Sequence, residues 1–315
     1  MSDPLISVLI PNYNYARFLP ETLDSVLRQS YQHFEIILSD DASDDDSDAV
    51  CRSYAAAHPC IHYHRQPRNL GMVPNWNWCL QQARGSLIKP LMADDILSHP
   101  EALERMARIL TEQPDIALVT CARNVINENG HVRTCWQPLG KTDHRIPARL
   151  WRHQHLENHF PSVLNSIGEP TAVMFRMAQA ARGFDPQLRQ LVDLEMWIHL
   201  LSFGDLYVFG EPLCSFRQHP SQQTAHNKTL YRHRQEEREI YCRYSPSPFL
   251  ERHLYRITRQ MTQAGEPQAH DAYQQLRNQF SPWTWFCLHC HYRKERFYAN
   301  FYHSWIKRTG QGAVE

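Results

Sequence analysis

At 315 residues the chain has room for one large α/β domain with an appendage, or for two modest domains. Lys plus Arg and Asp plus Glu both total 33, so no net field draws it to nucleic acid. No stretch reaches the ~18 uninterrupted apolar residues of a membrane-spanning helix. Nine cysteines, odd in number and irregular in spacing, do not make a secreted disulfide framework. The opening "MSDPLISVLIPNYN" lacks the basic start and long apolar core of a secretory signal, which points to a reducing cytosol.

In chain order, "LISVLIP" (5–11) and "FEIILS" (34–39) are short runs rich in β-branched residues, as buried parallel strands are. Between them, 16–30 carries Leu19, Leu23 and Leu27 on one helical stripe. Residues 45–58 predict a second helix with the acidic start that a helix N-terminus favours. A third strand at 61–65 and a helix at 74–83 opened by Pro74 follow, then a strand at 86–93 and a helix at 100–113. This alternation calls for a parallel sheet covered on both faces.

Open α/β sheets bind ligands outside the carboxyl ends of their strands. Asn12 and Asn14 follow the first strand, Asp40 and Asp41 the second, and Asp94 and Asp95 the fourth. Two adjacent carboxylates repel each other unless water or a cation relieves them. Asp94 and Asp95 are therefore either a metal site at a strand end or a solvated turn that caps the next helix. The aspartates at 44–48 read as a solvated helix start.

Further on, 114–126 predicts a strand or strand pair ending near the turn at Asn129–Gly130. Residues 131–160 show little periodicity and are expected to form a mobile loop over the site. Strand character returns at 168–176, a turn at 183–188, and a helix at 193–204 capped by Gly204. "DLYVFG" and "EPLCSFRQH" look like a last hairpin or strand pair. Beyond about residue 225 the chain becomes helical and polar. The expected domains are 1–225 and 226–315.

Five segments in order, "ISVLIPNYN", "FEIILSDDASDDDS", "RNLGMVPNWNWCLQQARGSLIKPLMADD", "VDLEMWIHLLSFG" and "FRQHPSQQT", resemble family 2 glycosyltransferases of the GT-A fold. The resemblance runs from residue 5 to about 225. It implies a Rossmann-like, mostly parallel sheet flanked by helices, here with a helical C-terminal extension. It also implies inverting transfer of a sugar from a nucleoside-diphosphate sugar, most commonly UDP-linked, to a glycan or lipid-linked acceptor.

By the same resemblance, Pro11, Asn12 and Tyr13 would cradle the base, and Asp41 with Asp40 would accept hydrogen bonds from base or ribose. Arg68, just before Asn69 and Gly71, would approach the nucleotide, and Asp94 the donor. Asp95 would hold a divalent cation, Mn²⁺ or Mg²⁺. Asp193 matches the base that deprotonates the acceptor, with Glu195 and Glu169 in reserve. Arg217 and His219, spaced to share one face of an extended segment, would serve as diphosphate contact and additional metal ligand. Many members carry an aspartate where this chain has Met92.

The chemistry asks for these residue types: leaving diphosphate needs a hard cation on carboxylates, and the attacking hydroxyl needs a base. A catalytically silent nucleotide-sugar-binding or scaffold protein is the alternative. A nucleotidyltransferase would want a glycine-rich phosphate loop, which "PNYNYARF" does not supply. "CLHCH" (287–291) matches a haem-attachment signature, and chance within an aromatic-rich helix is the better reading. The aromatic and basic tail 281–308 fits a helix lying on a lipid surface, or one packed on its own domain or in a homo-oligomer.

Overall fold

The computed structural model describes residues 3–157, 165–220, 222, 232–245, 249–265, 269–279 and 288. The chain divides into two compact units, one from residues 1–151 and 164–230, the other from 152–163 and 231–315.

The first unit opens with strands β1 (Ile6–Asn12), β2 (Phe34–Asp40), β3 (Ile61–Arg65) and β4 (Leu87–Pro90). Helices α1 (Leu19–Leu27), α2 (Ser47–Ala57) and α3 (Met72–Gln82) alternate with them. All seven residues of β2 are buried, as its unbroken apolar run requires for a strand covered on both faces. In α1, Leu19, Leu23 and Val26 pack inward while Pro20 sits in the first turn, where its missing N–H costs nothing.

The sheet continues through β5 (Ile96–Leu97), β6 (Ile116–Asn127), β7 (Val132–Trp136), β8 (His144–Ile146), β9 (Val173–Arg176) and β10 (Asp205–Gln218). Helix α4 (Ala102–Glu112) precedes β6, α5 (Ala148–Arg152) follows β8 and α6 (Val192–Leu200) precedes β10. The strand order is β3-β2-β1-β4-β9-β6-β10-β5. β1 pairs in parallel with β2 and β4, and β2 with β3. Beyond β4 the sheet is mixed, because β9 runs antiparallel to both β4 and β6.

Three expectations are corrected. The segment 131–160 holds β7, β8 and α5; all five β7 residues are exposed, so no burial imposes an alternating pattern on its sequence. "DLYVFGEPLCSFRQ" is one strand and not a hairpin: it runs parallel to β6, with register shifts around Pro212 that absorb the Gly-Glu-Pro interruption. Gly204 does not cap α6, which ends at Leu200. A Cβ there would stand 2.4 Å from the Asp115 carbonyl oxygen, so close backbone approach explains the glycine.

In the second unit, helices Arg232–Tyr244, Phe249–Ala264 and Ala269–Gln279 follow. Tyr241, Tyr255, Ile257 and Met261 are buried. Its Arg256 guanidinium lies over the Tyr241 ring. "CLHCH" and the tail 281–308 lie outside the described residues, Leu288 apart. Among the described residues no helix is long and apolar enough to cross a membrane.

Candidate active site

The strand order reverses at β1, whose neighbours β2 and β4 lie on opposite sides of it, and a ligand crevice is expected outside the carboxyl ends of strands at such a point. A cavity of about 930 Å³ opens there. Pro11, Asn12, Tyr13, Asp41, Asp94 and Asp193 all line it, as do Asp95 and Glu169. Asp40, Arg68, Arg217 and His219 do not.

The loops after β1 and β2 are stitched together from within. Asn12 Nδ2 donates to Asp40 Oδ1 at 2.8 Å, and Asp40 also accepts from the Ser43 amide and hydroxyl. The fully buried Asp40 carboxylate thus fixes the loop and is not offered to a ligand. Asp41 accepts from the Leu70 and Gly71 amides at 2.7 and 2.9 Å, pinning the loop before α3 to the cavity wall. Gly71 has φ of 90°, which favours glycine. Burial pushes the Asp41 carboxyl upward. The buried Asn12 Oδ1 has no hydrogen-bond partner among the described residues, an acceptor left for a ligand. Arg68 is exposed and does not line the cavity, although its neighbour Asn69 does.

The paired aspartates divide their labour opposite to expectation. Asp95, expected to hold the cation, is fully buried: Oδ1 accepts from the Arg217 amide at 2.8 Å and Oδ2 from the Thr171 hydroxyl at 2.5 Å. Burial and then the neighbouring Asp94 carboxylate push its pKa well up. The Asp95 carbonyl accepts from the Thr22 hydroxyl at 2.8 Å. Asp95 is therefore the anchor of the loop. Asp94 Oδ2 instead meets His219 Nε2 at 3.0 Å, and His219 is held by Phe18 and, edge-on, by Tyr15.

Arg217, expected at the diphosphate, turns away from the cavity. Its guanidinium donates to the Asp94 carbonyl at 2.7 Å and to Glu21 Oε2 at 2.5 Å, and lies over the Phe18 ring. A buried guanidinium must find acceptors, and this carbonyl and the Glu21 carboxylate supply them.

No group of three or more His, Cys, Asp or Glu that could hold a metal gathers among the described residues. A carboxylate beside an imidazole nevertheless fits a divalent cation that takes its other ligands from substrate phosphates and water. Asp94 and His219 are the residues that would hold it.

Asp193, in the first turn of α6, lines the same cavity. Its Oδ2 accepts from Asn165 Nδ2 at 2.7 Å and its Oδ1 from the Leu194 amide at 2.8 Å. Burial first, and then the Glu169 carboxylate, raise its pKa to about 7, while Arg123 opposes them. Glu195, the reserve candidate, is committed to Arg182 at 2.6 Å. Glu169 faces the cavity and is ion-paired with buried Arg123. Sequence reasoning missed Asn165 and Thr171, whose roles depend on partners 28 and 76 residues away.

The segment 7–179, more than half of the chain, matches the family described as "Glycosyl transferase family 2". The chain belongs to glycosyl transferase family 2. This family 2 chain is 37% identical over 212 residues to an uncharacterized protein of Mycobacterium tuberculosis (strain CDC 1551 / Oshkosh). That match covers 64% of this chain and 63% of the relative, so the chain spans less than two thirds of the relative's length. Among solved structures it is similar to S. aureus TarS 1–349 in complex with UDP-GlcNAc, with a TM-score of 0.59 and 16% identity over 81% of this chain and 70% of that one. It is also similar to the mannosyltransferase PcManGT from Pyrobaculum calidifontis in complex with GDP-Man and Mn²⁺, with a TM-score of 0.55 and 16% identity over 94% and 87% of the two chains. The fold is the GT-A arrangement, a mixed sheet flanked by helices.

Proposed function

We propose that the protein is an inverting glycosyltransferase that moves a sugar from a nucleoside-diphosphate sugar, UDP-linked by preference, to a hydroxyl of a glycan or lipid-linked acceptor. The observation that carries this is that one cavity is lined both by the aspartate loop that presents Asp94 and by Asp193, whose carboxyl is raised to about 7. Family membership and the complexes of TarS with UDP-GlcNAc and PcManGT with GDP-Man support a nucleotide-sugar donor.

The chain's own groups have distinct parts in this reading. Pro11, Tyr13 and Asp41 hold the base and ribose, and the free Asn12 oxygen accepts from the nucleotide. Asp94 and His219 hold a divalent cation, which when bound offsets the charge that builds on the leaving diphosphate. Asp193, with a carboxyl poised near the working pH, takes the proton of the acceptor hydroxyl as it attacks. A single displacement from the Asp193 side inverts the anomeric carbon.

Calorimetric titration of UDP, GDP and dTDP, each with and without Mn²⁺, tests the reading. We expect one nucleotide, UDP, to bind with an affinity that Mn²⁺ raises. Absence of binding by all three under both conditions would remove its foundation.

A further inference from the structure

Asp193 is not held by α6 alone. Asn165 uses its whole amide on two partners: Nδ2 donates to Asp193 Oδ2 at 2.7 Å and to the Gly168 carbonyl at 3.0 Å, while Oδ1 accepts from the Gly168 amide at 3.0 Å. The Gly168 carbonyl also accepts from Trp197 Nε1 at 2.9 Å, one turn beyond Asp193 on α6. Gly168 has φ of 124°, and a Cβ there would stand 3.0 Å from both Arg123 Nη1 and Ala172 Cβ. Only glycine lets this peptide face Asn165 and Trp197 at once. The Thr120 hydroxyl, donating to the Ile167 carbonyl at 2.6 Å, ties the same turn to β6.

The next residue, Glu169, is aimed by a second device. Arg123 is 1% exposed and pairs with Glu169, while Trp136, its register partner on β7, stacks over the guanidinium at 4.2 Å. A buried cation so covered fixes its carboxylate partner in place. The charged groups that face Asp193 are thus Glu169 from the turn and Arg123 from β6, with Arg189 on the cavity wall before α6.

We propose that Asn165 is the orienting residue of the Asp193 carboxylate and that Glu169, locked by Arg123, is its charged neighbour on the same cavity wall. Both are positioning residues, since they act on the acceptor through Asp193. Burial first, and then the Glu169 carboxylate, favour the protonated form of Asp193, whereas a hydrogen bond from the Asn165 amide favours the ionised one. The inference rests on the proposed role of Asp193, but its test does not.

The test is a ¹³C NMR titration of the full chain labelled at aspartate carboxyls, with the Asp193 resonance assigned by its loss in Asp193→Asn. Glu169→Gln is expected to lower the Asp193 midpoint by about one pH unit, and Asn165→Ala to raise it by about as much. Asn165→Ser, which keeps a small donor, serves if the alanine variant does not fold, and should also raise the midpoint. A site merely loosened by these changes would admit water and carry every variant down toward the ordinary Asp value of about 3.9. That outcome, or a midpoint unmoved in the Asn165 variants, overturns the inference. Failure of the nucleotide titration would leave this result standing, so the two readings fail separately.

Discussion

On the β3-β2-β1-β4 side of the cavity, functional side chains sit at the carboxyl ends of parallel strands and are aimed by the loops of neighbouring strands. Asp41 bonds the amides of Leu70 and Gly71, and Asn12 bonds Asp40. On the β9-β6-β10 side the strands run in both directions, and aim comes from side chains on the segment just before β9. Asp193 is set by Asn165, and Asp95 by Thr171. The first side follows from strand position. The second depends on a buried polar network, which is costly wherever one member is missing.

That contrast can be broken by substitution. Arg217→Met should have the largest effect, because it strips the buried donor from the Asp94 carbonyl and the ion-pair partner from half-exposed Glu21. We expect a loss of about 4 kcal/mol in denaturant unfolding. Asp193→Asn comes next and should stabilise the fold. The folded carboxyl near 7 lies above its unfolded value, so the wild type loses stability as pH rises from about 4 to about 7. The variant should match it near pH 4 and exceed it by about 3 kcal/mol above pH 7, as read by unfolding at both pH values. Arg68→Ala should have the smallest effect, within about 0.5 kcal/mol in stability and without change in nucleotide affinity, since its side chain is exposed and does not line the cavity.

Much of the parallel half was legible in the sequence. Apolar runs and helical stripes place β1 to β4 within a few residues, and the polar residues just beyond them line one cavity. What could not be read was which of two adjacent aspartates turns inward. Asp95 does so because β5 pairs with β10 at Ser215↔Ile96 and Cys214↔Leu97, which brings the Arg217 amide to its carboxylate. That register is a long-range fact with no local signature. The Gly-Glu-Pro interruption in β10 misled for the same reason: a bulge and a turn use similar residues, and the pairing with β6 decides between them. The loop reading of 131–160 failed because exposed edge strands carry no periodic burial to detect.

The account turns on the division between Asp94, facing the cavity beside His219, and Asp95, anchoring the loop. The most direct measurement is Mn²⁺-dependent UDP binding by calorimetry together with thermal unfolding, on the wild type, Asp94→Asn and Asp95→Ala. The account predicts that Asp94→Asn loses the Mn²⁺ enhancement with its Tm unchanged, whereas Asp95→Ala, which strips the acceptors from the Arg217 amide and the Thr171 hydroxyl, lowers Tm. An Asp94→Asn variant that keeps the full Mn²⁺ enhancement would contradict it.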